Sequence, residues 1–475
     1  MSLPLEQVLL AAPAASAARR ALRGRAAWIV GGAVRDALLG NQVRDLDLAI
    51  APGAEEEAAR AIAREAGGSA FRLSEAHASW RTVSREGWHV DVAALRAKSI
   101  ELDLAQRDFT VNAIAVPLAG GEAIDPTGGV PDAEARLLRA AAERAFADDP
   151  LRLLRAARLA AAHALELDPE TVSLARGEAA RAAEPAGERQ FGELRGLVCG
   201  PDPLRGLALM DELSLTEVVL PELAALRGVV QNPNHHLDVY GHTLAVLEHT
   251  LRLERELPRF VGQEARRTAQ LLAEPLADEI TRGGALRFGA VLHDLGKPET
   301  REERGRYVTF IGHDRAGERI VGQVCQRLRT SRRLSLHLQA LALHHLRLGF
   351  LVHERPLSGR RLYGYLRATE PVGADVTLLS IADRLSARGE GAIASEEMIE
   401  AHLVLAREVL PAALDWHRDG PPAPPLDGVE VAAEVAVRPG PEMGRILEEL
   451  RAAAYAGEIE GREQALELAR RLAGQ

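Results

Sequence analysis

Lysine and cysteine are almost missing from this chain. Lys98 and Lys297 are the only lysines among 475 residues, and Cys199 and Cys325 are the only cysteines. The two cysteines lie far apart without metal-site spacing, which argues against a disulfide framework and suits a reducing compartment. Aromatic residues make up 4%, and Ala, Leu, Arg and Glu dominate, which favours a mostly helical protein over a sandwich or barrel.

Long apolar runs are also absent. No stretch approaches the roughly 20 residues needed to span a bilayer, and the short apolar run near the N-terminus has no basic leader, so we expect a helix there and not a signal peptide. We therefore expect a cytoplasmic protein without a membrane partner. The net charge of −10 argues against general DNA binding and requires any nucleic-acid partner to meet local arginine clusters.

The order of elements along the chain predicts an α+β protein of two to four domains. Between residue 27 and about residue 118, short β-rich runs alternate with helical segments, which predicts a small α/β head. The remainder has helical periodicity and predicts helical domains only. GPPAPP at 420–425 predicts a stiff linker. The stretch at 251–284 is a charged, helix-forming insertion.

A glycine pair followed by two acids is the first chemical motif. Gly31 and Gly32 in VGGAVRD end a predicted strand and would let the backbone approach a triphosphate, whose charge the next helix N-terminus and Arg35 would stabilise. Asp45 and Asp47 in RDLDLAI lie two residues apart on a predicted strand, so their carboxylates point to one face. Two such carboxylates can share divalent cations such as Mg²⁺.

A third acid lies in the β-run HVDVAAL. Asp91 is the lone charge of that run, and it is either a third metal ligand on a neighbouring strand or a surface acid on an edge strand. As a third ligand, it would complete a catalytic site for phosphoryl transfer with two metal ions.

These motifs, with RDFTVNAIAV at 107–116 and IDPTGG at 124–129, resemble the class II tRNA nucleotidyltransferase and bacterial poly(A) polymerase family. The resemblance implies that Asp45 and Asp47 bind the metals, and that ribose and triphosphate contact Arg107, Asp108 and Asn112. The sequence has Gln106 where the family usually has arginine. One triphosphate contact is therefore either missing or supplied elsewhere.

The segment DDPLRLLRAAR at 148–158 resembles the base-selecting motif of the family, at the start of a helical neck. Asp149 and Arg152 lie three residues apart and share a helix face. Such a pair alone is usually an exposed ion pair, but the resemblance implies that it selects CTP and ATP. Arg155 and Arg158 continue the stripe. GERQFGEL at 187–194 resembles a later neck motif that looks structural.

A set of histidines and aspartates follows in the second half. His242, His293, Asp294 and Asp383 occur in the order of the HD phosphohydrolase superfamily. Imidazole and carboxylate together suit Mn²⁺, Fe²⁺, Ni²⁺ or Zn²⁺, and such a metal can activate water for phosphoester hydrolysis. The alternative is a degenerate module that only packs against tRNA.

A second metal in that set would need further histidines. His313, with either His344 or His345, is the candidate set, as in binuclear members of the superfamily. The sequence leaves open which of the two adjacent histidines takes part.

The predicted organisation is a nucleotidyltransferase head at about 20–140, a helical neck at 141–228, an HD domain at 229–418 and a helical tail at 426–475. The tail carries GPEMGRIL, which resembles the terminal segment of tRNA nucleotidyltransferases. We therefore predict addition of C and A residues to the tRNA 3′ end, from CTP and ATP, with Mg²⁺.

Three alternatives stay open. The segment between Leu95 and Arg107 is shorter than is usual in CCA-adding members, and in the family such shortening marks enzymes that add only the two cytidines. A poly(A) polymerase is disfavoured by the tRNA-type tail. A protein of another class, either an HD phosphohydrolase with a nucleotide-sensing head or a non-catalytic RNA-binding protein, would leave Asp45 and Asp47 without a catalytic role.

Overall fold

The computed structural model describes residues 5–74, 79–305, 307–391 and 394–474. The chain divides into two compact units, Met1–Val219 and Leu220–Gln475. Within the described residues, the one sheet of more than two strands lies in the first unit. None of the described helices combines the length and apolar character needed to cross a membrane.

Six strands form the sheet of the first unit. They are β1 (Ala27–Val30), β2 (Leu46–Ile50), β3 (Ser69–Ser74), β4 (Ser79–Val83), β5 (His89–Ala94) and β6 (Ala115–Pro117). Their spatial order is β3-β4-β5-β2-β1-β6. Strands β2 and β5 are parallel, and the other neighbours are antiparallel.

Short helices surround this sheet and longer ones follow it. They are α1 (Leu5–Leu10), α2 (Pro13–Ala21), α3 (Gly32–Leu38), α4 (Glu55–Glu65), α5 (Ile100–Leu104), α6 (Gly129–Glu134), α7 (Ala145–Asp148), α8 (Leu151–His163), α9 (Pro169–Glu178), α10 (Gly187–Val198), α11 (Pro203–Glu212) and α12 (Thr216–Val219). The strands β7 (Leu137–Leu138) and β8 (Glu166–Leu167) form a short parallel pair.

The period of two along the strands separates the two faces of the sheet. Leu46 and Leu48 of β2 are buried in a core with α2 and α4, whereas Asp45 and Asp47 point to the opposite face because alternate residues of a strand do so. That face is covered by α5 at Ala49 and open at Asp45 and Asp47. The helix expected near the N-terminus is confirmed as α1 and α2, and both contribute to this same core. The core of the head therefore includes residues before position 20.

The second unit is helical. Its helices are α13 (Pro221–Ala224), α14 (Val239–Arg255), α15 (Leu257–Val261), α16 (Ala265–Ala273), α17 (Arg282–Leu292), α18 (Lys297–Thr300), α19 (His313–Arg327), α20 (Arg332–His344), α21 (Arg347–Leu351), α22 (Gly359–Ala368), α23 (Gly373–Ser386), α24 (Glu396–Asp419), α25 (Gly428–Val435), α26 (Pro441–Tyr455) and α27 (Gly461–Leu472). The segment at 420–425 has no regular structure, and α25 to α27 share a core of their own.

Short strand pairs depart from the expectation of helices alone. Besides β7 and β8, the second unit contains the hairpins β9 (Pro275–Ala277) with β10 (Ile280–Thr281) and β11 (Glu302–Arg304) with β12 (Tyr307–Thr309). Asp278 and Glu279, at the turn of the first hairpin, have positive φ, a conformation that aspartate adopts in turns more readily than most residues. The predicted fold class, a small sheet-containing head with a helical remainder, is confirmed.

Candidate functional site

The three predicted carboxylates lie on neighbouring strands at the open face of the sheet. Asp47 of β2 is in register with Asp91 of β5, and Asp45 immediately precedes β2. Paired residues on neighbouring strands project from the same face. All three side chains therefore line one surface, as the period-two spacing predicts for the first two.

Each outer carboxylate has a partner of its own. Asp45 Oδ1 accepts the backbone N–H of His89 at 2.8 Å and lies 3.0 Å from His89 Nδ1. Both oxygens of Asp91 accept bonds from the Arg81 guanidinium at 2.7 Å. Within the described residues the three acids do not converge on one cation-sized point. A shared cation would therefore have to compete with His89 and Arg81.

The negative charge of the central acid, Asp47, is only partly compensated by its neighbours. Desolvation by the groups around it, and then the negative charge of Asp91, raise the pKa of Asp47, while Arg107 and the Gly32 N–H oppose this shift. The residue still reaches solvent. Neighbouring carboxylates that repel each other in this way are a suitable oxygen donor set for Mg²⁺.

Close approach explains why glycine occupies position 31. Gly31 has a φ of +69°, and a Cβ there would lie 3.2 Å from Asp47 Oδ2 and 3.4 Å from Arg107 Nη1. A side chain would therefore be strained and would crowd both the acid and the arginine. Gly32 follows, and its backbone N–H bonds to Asp47.

One cavity of about 280 Å³ brings together all ten residues that the sequence predicts to bind nucleotide. The ten are Gly31, Gly32, Arg35, Arg107, Asp108, Asn112, Asp149, Arg152, Arg155 and Arg158. Arg96 and Leu159 complete the lining, and sequence reasoning missed both. Six arginines against two acids make this cavity suitable for a polyanion such as a triphosphate.

Asp108 is the centre of the polar contacts in that cavity. Its Oδ1 accepts the Asn112 amide at 3.0 Å and its Oδ2 accepts Arg155 Nη1 at 3.3 Å. The Asn112 carbonyl oxygen accepts Arg35 Nη1 at 3.1 Å. Although burial opposes its ionisation, Asp108 has a lowered pKa because Arg155, Asn112 and the Phe109 N–H stabilise the carboxylate.

The predicted base-reading pair is fixed by other partners and not by a mutual bond. Arg152 donates to the backbone carbonyls of Gln106 at 2.9 Å, Arg107 at 3.3 Å and Ala145 at 3.2 Å. Asp149 accepts Arg189 Nη2 at 3.2 Å. The side chains of the pair are therefore held at the cavity wall.

Glu193 gives the later neck motif a positioning role. This buried carboxylate accepts Arg155 Nε at 3.0 Å and Arg158 Nε at 2.5 Å. Two arginines that the sequence places on one stripe are thus held by a residue of α10. The signal was present in GERQFGEL, but a sequence alone does not show which helix faces α8.

In the second unit, six side chains form two adjacent groups that could each hold a metal ion. The first group is His242, His293 and Asp383, and the second is Asp294, His313 and His345. Of the two adjacent histidines left open by the sequence, His345 lies in the centre. His344 instead accepts Arg347 Nε at 2.8 Å through its Nδ1.

Backbone contacts set the tautomers of three of these histidines. In His293, His313 and His345, Nδ1 lies 2.9, 2.7 and 2.7 Å from the carbonyl oxygen three residues earlier. An Nδ1–H that donates there leaves an Nε2 lone pair free for a metal. The Nε2 atoms of His313 and His345 are only 3.2 Å apart, so their lone pairs need a proton or cation between them.

Asp294 supplies the buried charge of this centre. It is 1% exposed, and its Oδ1 has no hydrogen-bond partner among the described residues. Lys297 Nζ lies 2.7 Å from its Oδ2. Burial opposes ionisation, but the positive charges of His293 in its protonated form and of Lys297 keep the pKa of Asp294 well below its usual value. This set of imidazole nitrogens and carboxylate oxygens fits a divalent transition metal.

His235 is a further histidine near the centre that sequence reasoning missed. Its ring centroid lies 4.6 Å from that of His242, and burial lowers the pKa of His235 to about 3. It is therefore neutral at physiological pH. The paired histidines at 235–236, just before α14, were the available signal.

Comparison with known families matches three segments of the chain. Residues 27–139 match the Poly A polymerase head domain, residues 164–226 the probable RNA and SrmB-binding site of polymerase A, and residues 239–388 the HD domain. An A-adding tRNA nucleotidyltransferase of Deinococcus radiodurans is 35% identical over 440 residues, covering 91% of this chain and 92% of that protein. The chain belongs to the tRNA nucleotidyltransferase family.

Members of this family are named for the addition of different nucleotides. A CC-adding tRNA nucleotidyltransferase of Thermus thermophilus is 34% identical and covers 92% of both chains. The solved structure of a CCA-adding enzyme with ATP has the same fold as the present chain, with a TM-score of 0.62 and 19% identity. The match covers 98% of this chain and 94% of that enzyme. A Thermotoga maritima CCA-adding enzyme complexed with tRNA has a TM-score of 0.60, 18% identity and 99% coverage of both.

Membership of the tRNA nucleotidyltransferase family confirms the enzyme class predicted from the motifs. The segment that matches the HD domain follows the segment that matches the polymerase head domain. The roles of individual residues and the domain bounds given above stay predictions.

Proposed function

We propose that this enzyme adds nucleotides from CTP and ATP to the 3′ end of tRNA. The observation that carries the proposal is the arginine-lined cavity of about 280 Å³ that begins at Gly31, beside Asp47. A triphosphate in this cavity would place its α-phosphate near the carboxylate row. The tRNA 3′-hydroxyl would attack that phosphate, and pyrophosphate would leave.

The residues of the head divide into three roles in this proposal. Arg35 and Arg107 bind the phosphates, and Asn112 holds Arg35 in place. Mg²⁺ held by Asp45, Asp47 and Asp91 would activate the attacking hydroxyl and neutralise the leaving pyrophosphate. Arg96 supplies a guanidinium at the cavity wall, in a chain that has Gln106 where the family usually has arginine.

Base selection falls to the neck. Asp149 offers a carboxylate acceptor, and Arg152 offers N–H donors at the same cavity. An acceptor beside a donor can bond the edges of cytosine and adenine, which both present an exocyclic amine next to a ring nitrogen. The bonds from Arg152 to backbone carbonyls keep the guanidinium oriented before the base arrives.

Restricted addition is a second candidate, favoured by the segment before Arg107. Asp103 holds this segment at both ends, because it accepts the Arg96 N–H at 2.8 Å and the Arg107 guanidinium at 3.1 Å. A short segment that is held at both ends has little freedom to change conformation when the site switches from CTP to ATP. Two relatives of similar identity are named as A-adding and CC-adding enzymes.

One incorporation assay separates these activities. The purified protein, with Mg²⁺, receives tRNA transcripts that end before CCA, after one C or after CC, together with each labelled nucleotide. Two C followed by A indicates complete addition, a stop after two C indicates CC addition, and A only after CC indicates A addition.

Incorporation of ATP on any RNA end would establish a poly(A) polymerase. An Asp45→Ala, Asp47→Ala variant should be inactive, and no incorporation by the unaltered protein would refute the proposal.

The histidine-aspartate centre supports a second activity, phosphoester hydrolysis. His242, His293, Asp294 and Asp383, with His313 and His345, would hold the metals, which would supply hydroxide as the nucleophile. Lys297, an ion-pair partner of Asp294, adds a positive charge for a phosphate. Hydrolysis of a phosphodiester such as a 2′,3′-cyclic nucleotide should require His293 and should survive in the Asp45→Ala, Asp47→Ala variant. If no hydrolysis occurs with Mn²⁺, Fe²⁺, Ni²⁺ or Zn²⁺, the alternative is favoured, in which this domain is a degenerate module that only packs against tRNA.

A further inference from the structure

A row of side chains extends the carboxylates toward the open edge of the sheet. In the strand register Asp47 lies opposite Asp91, Asp91 lies opposite Arg81, and Arg81 lies opposite Phe71. Residues paired in this way project from the same face. The four side chains therefore cross β2, β5, β4 and β3 in one line.

Phe71 is the outer member of the row, and its side chain is not part of the hydrophobic core of the head. It is 47% exposed on the edge strand. The neighbouring pair, Ala70 and Thr82, faces the other way, where Thr82 is buried and donates to the backbone carbonyl of Ala59 on α4. The hairpin is thus anchored on α4 by the opposite face, and a large aromatic ring is left on the ionic, open face.

The arrangement of the site assigns the two substrates to opposite sides of Asp47. The nucleotide cavity is lined by Gly31 and Gly32 next to β1 and by Arg96 just after β5. Arg81 on β4 and Phe71 on β3 lie outside this lining, on the far side of β5. In phosphoryl transfer the attacking and leaving oxygens lie roughly in line on opposite sides of the phosphorus. A primer that attacks a triphosphate bound on the β1 side therefore approaches from the side of β4 and β3.

We propose that Phe71 and Arg81 form a subsite for the 3′-terminal nucleotide of the RNA primer. The terminal base stacks on the Phe71 ring, and the Arg81 guanidinium binds the adjoining phosphate. Aromatic stacking accepts every base, which suits a primer whose last base changes as the end is extended. Arg81 is one-third exposed while it pairs with Asp91, so its outer face is open to a phosphate. The inference rests on the nucleotidyl-transfer function proposed above.

The first test separates primer binding from nucleotide binding. Phe71→Ala should raise KM for the tRNA transcript by about 5- to 140-fold, the range of one lost base stack, with KM for the nucleotide unchanged. Phe71→Tyr, which keeps an aromatic ring, should have the same KM for the tRNA transcript as the unaltered protein. Phe350→Ala, which removes a more exposed ring elsewhere, at 67% exposure, is the matched control. An unchanged KM for tRNA in Phe71→Ala would overturn the proposal.

The second test does not depend on catalysis. An RNA primer that ends in 2-aminopurine should change its fluorescence on binding to the unaltered protein and to Phe350→Ala, and much less on binding to Phe71→Ala at saturation. A primer without its terminal base should bind both the unaltered protein and Phe71→Ala equally weakly. Equal fluorescence changes for the unaltered protein and for Phe71→Ala would refute stacking of the terminal base on Phe71. Failure of the proposed function would instead appear as no incorporation by the unaltered protein, whatever the fluorescence shows.

Discussion

Asp103 and Arg107 form an ion pair in which one carboxylate oxygen accepts both Nε and Nη2 of the guanidinium, at 3.2 and 3.1 Å. Asp103 is 2% exposed, and its other oxygen accepts the Arg96 N–H. A single buried carboxylate thus fixes both ends of the short segment and orients an arginine of the nucleotide cavity.

Loss of that carboxylate should loosen the cavity without removing any residue that lines it. Asp103→Ala is expected to lower kcat/KM for the incoming nucleotide by about 10- to 100-fold, because a small displacement of a positioning group has effects of that order. Leu102→Ala, which truncates an exposed neighbour on α5, should have little effect. Equal values for both variants, in steady-state incorporation with saturating tRNA, would contradict the positioning role of Asp103.

Arg81 should compete with Mg²⁺ for Asp91. Arg81→Gln removes a partly exposed ion pair, worth about 1 kcal/mol, and should lower the half-saturating Mg²⁺ concentration by about five-fold. The measurement is the incorporation rate against Mg²⁺ concentration at saturating tRNA and nucleotide. Arg60→Gln, which removes an exposed pair with Glu56 on α4, serves as the control. An equal or higher Mg²⁺ requirement in Arg81→Gln would argue against competition.

Adjacent histidines provide a matched pair for the metal centre. In the Asp45→Ala, Asp47→Ala background, which removes metal ligands of the head, the protein should bind two equivalents of Mn²⁺ or Ni²⁺, and the further change His345→Ala should leave one, because His345 belongs to the second group of ligands. His344→Ala should keep both equivalents, since His344 bonds to Arg347. Metal content after dialysis, measured by mass spectrometry, checks this. Identical stoichiometry for the two variants would mean that His345 is not a ligand.

Asp108 should make the stability of the head depend on pH at the acid end. Its pKa in the folded chain is lowered, so its contribution is fully present above the unfolded value of about 4 and is lost as the pH falls from there through the folded pKa. Asp108→Asn should lower the free energy of unfolding by about 2 kcal/mol at pH 7. The urea midpoints of the two proteins should converge toward pH 3. A constant difference across this range would assign the effect to packing.

Local spacing was sufficient to predict the parts of the site that lie on one element. Asp45 and Asp47 share a face because a strand has a period of two, and Arg155 and Arg158 share a stripe because a helix has a period of 3.6. The histidine pair was harder, because neighbours on a helix point about 100° apart. Only the orientation of α20 decides that His345 and not His344 faces the metal groups.

Contacts between distant elements lay beyond the sequence. Arg96 follows β5 and carries no motif, yet it lines the nucleotide cavity. Phe71 looks like an ordinary strand residue until the register sets it opposite Arg81. Glu193 becomes a partner of Arg155 only because α10 packs on α8.

The sequence by itself determined the family, the class of reaction and the alternation of sheet-forming and helical segments, because these depend on residue type and on spacing within a single element. Tertiary structure alone decided which partner each charged group takes. Asp91 pairs with Arg81, and Asp108 pairs with Arg155, 47 residues away. The physical reason is that an ion pair depends on distance in space and on exclusion of water, and chain folding sets both.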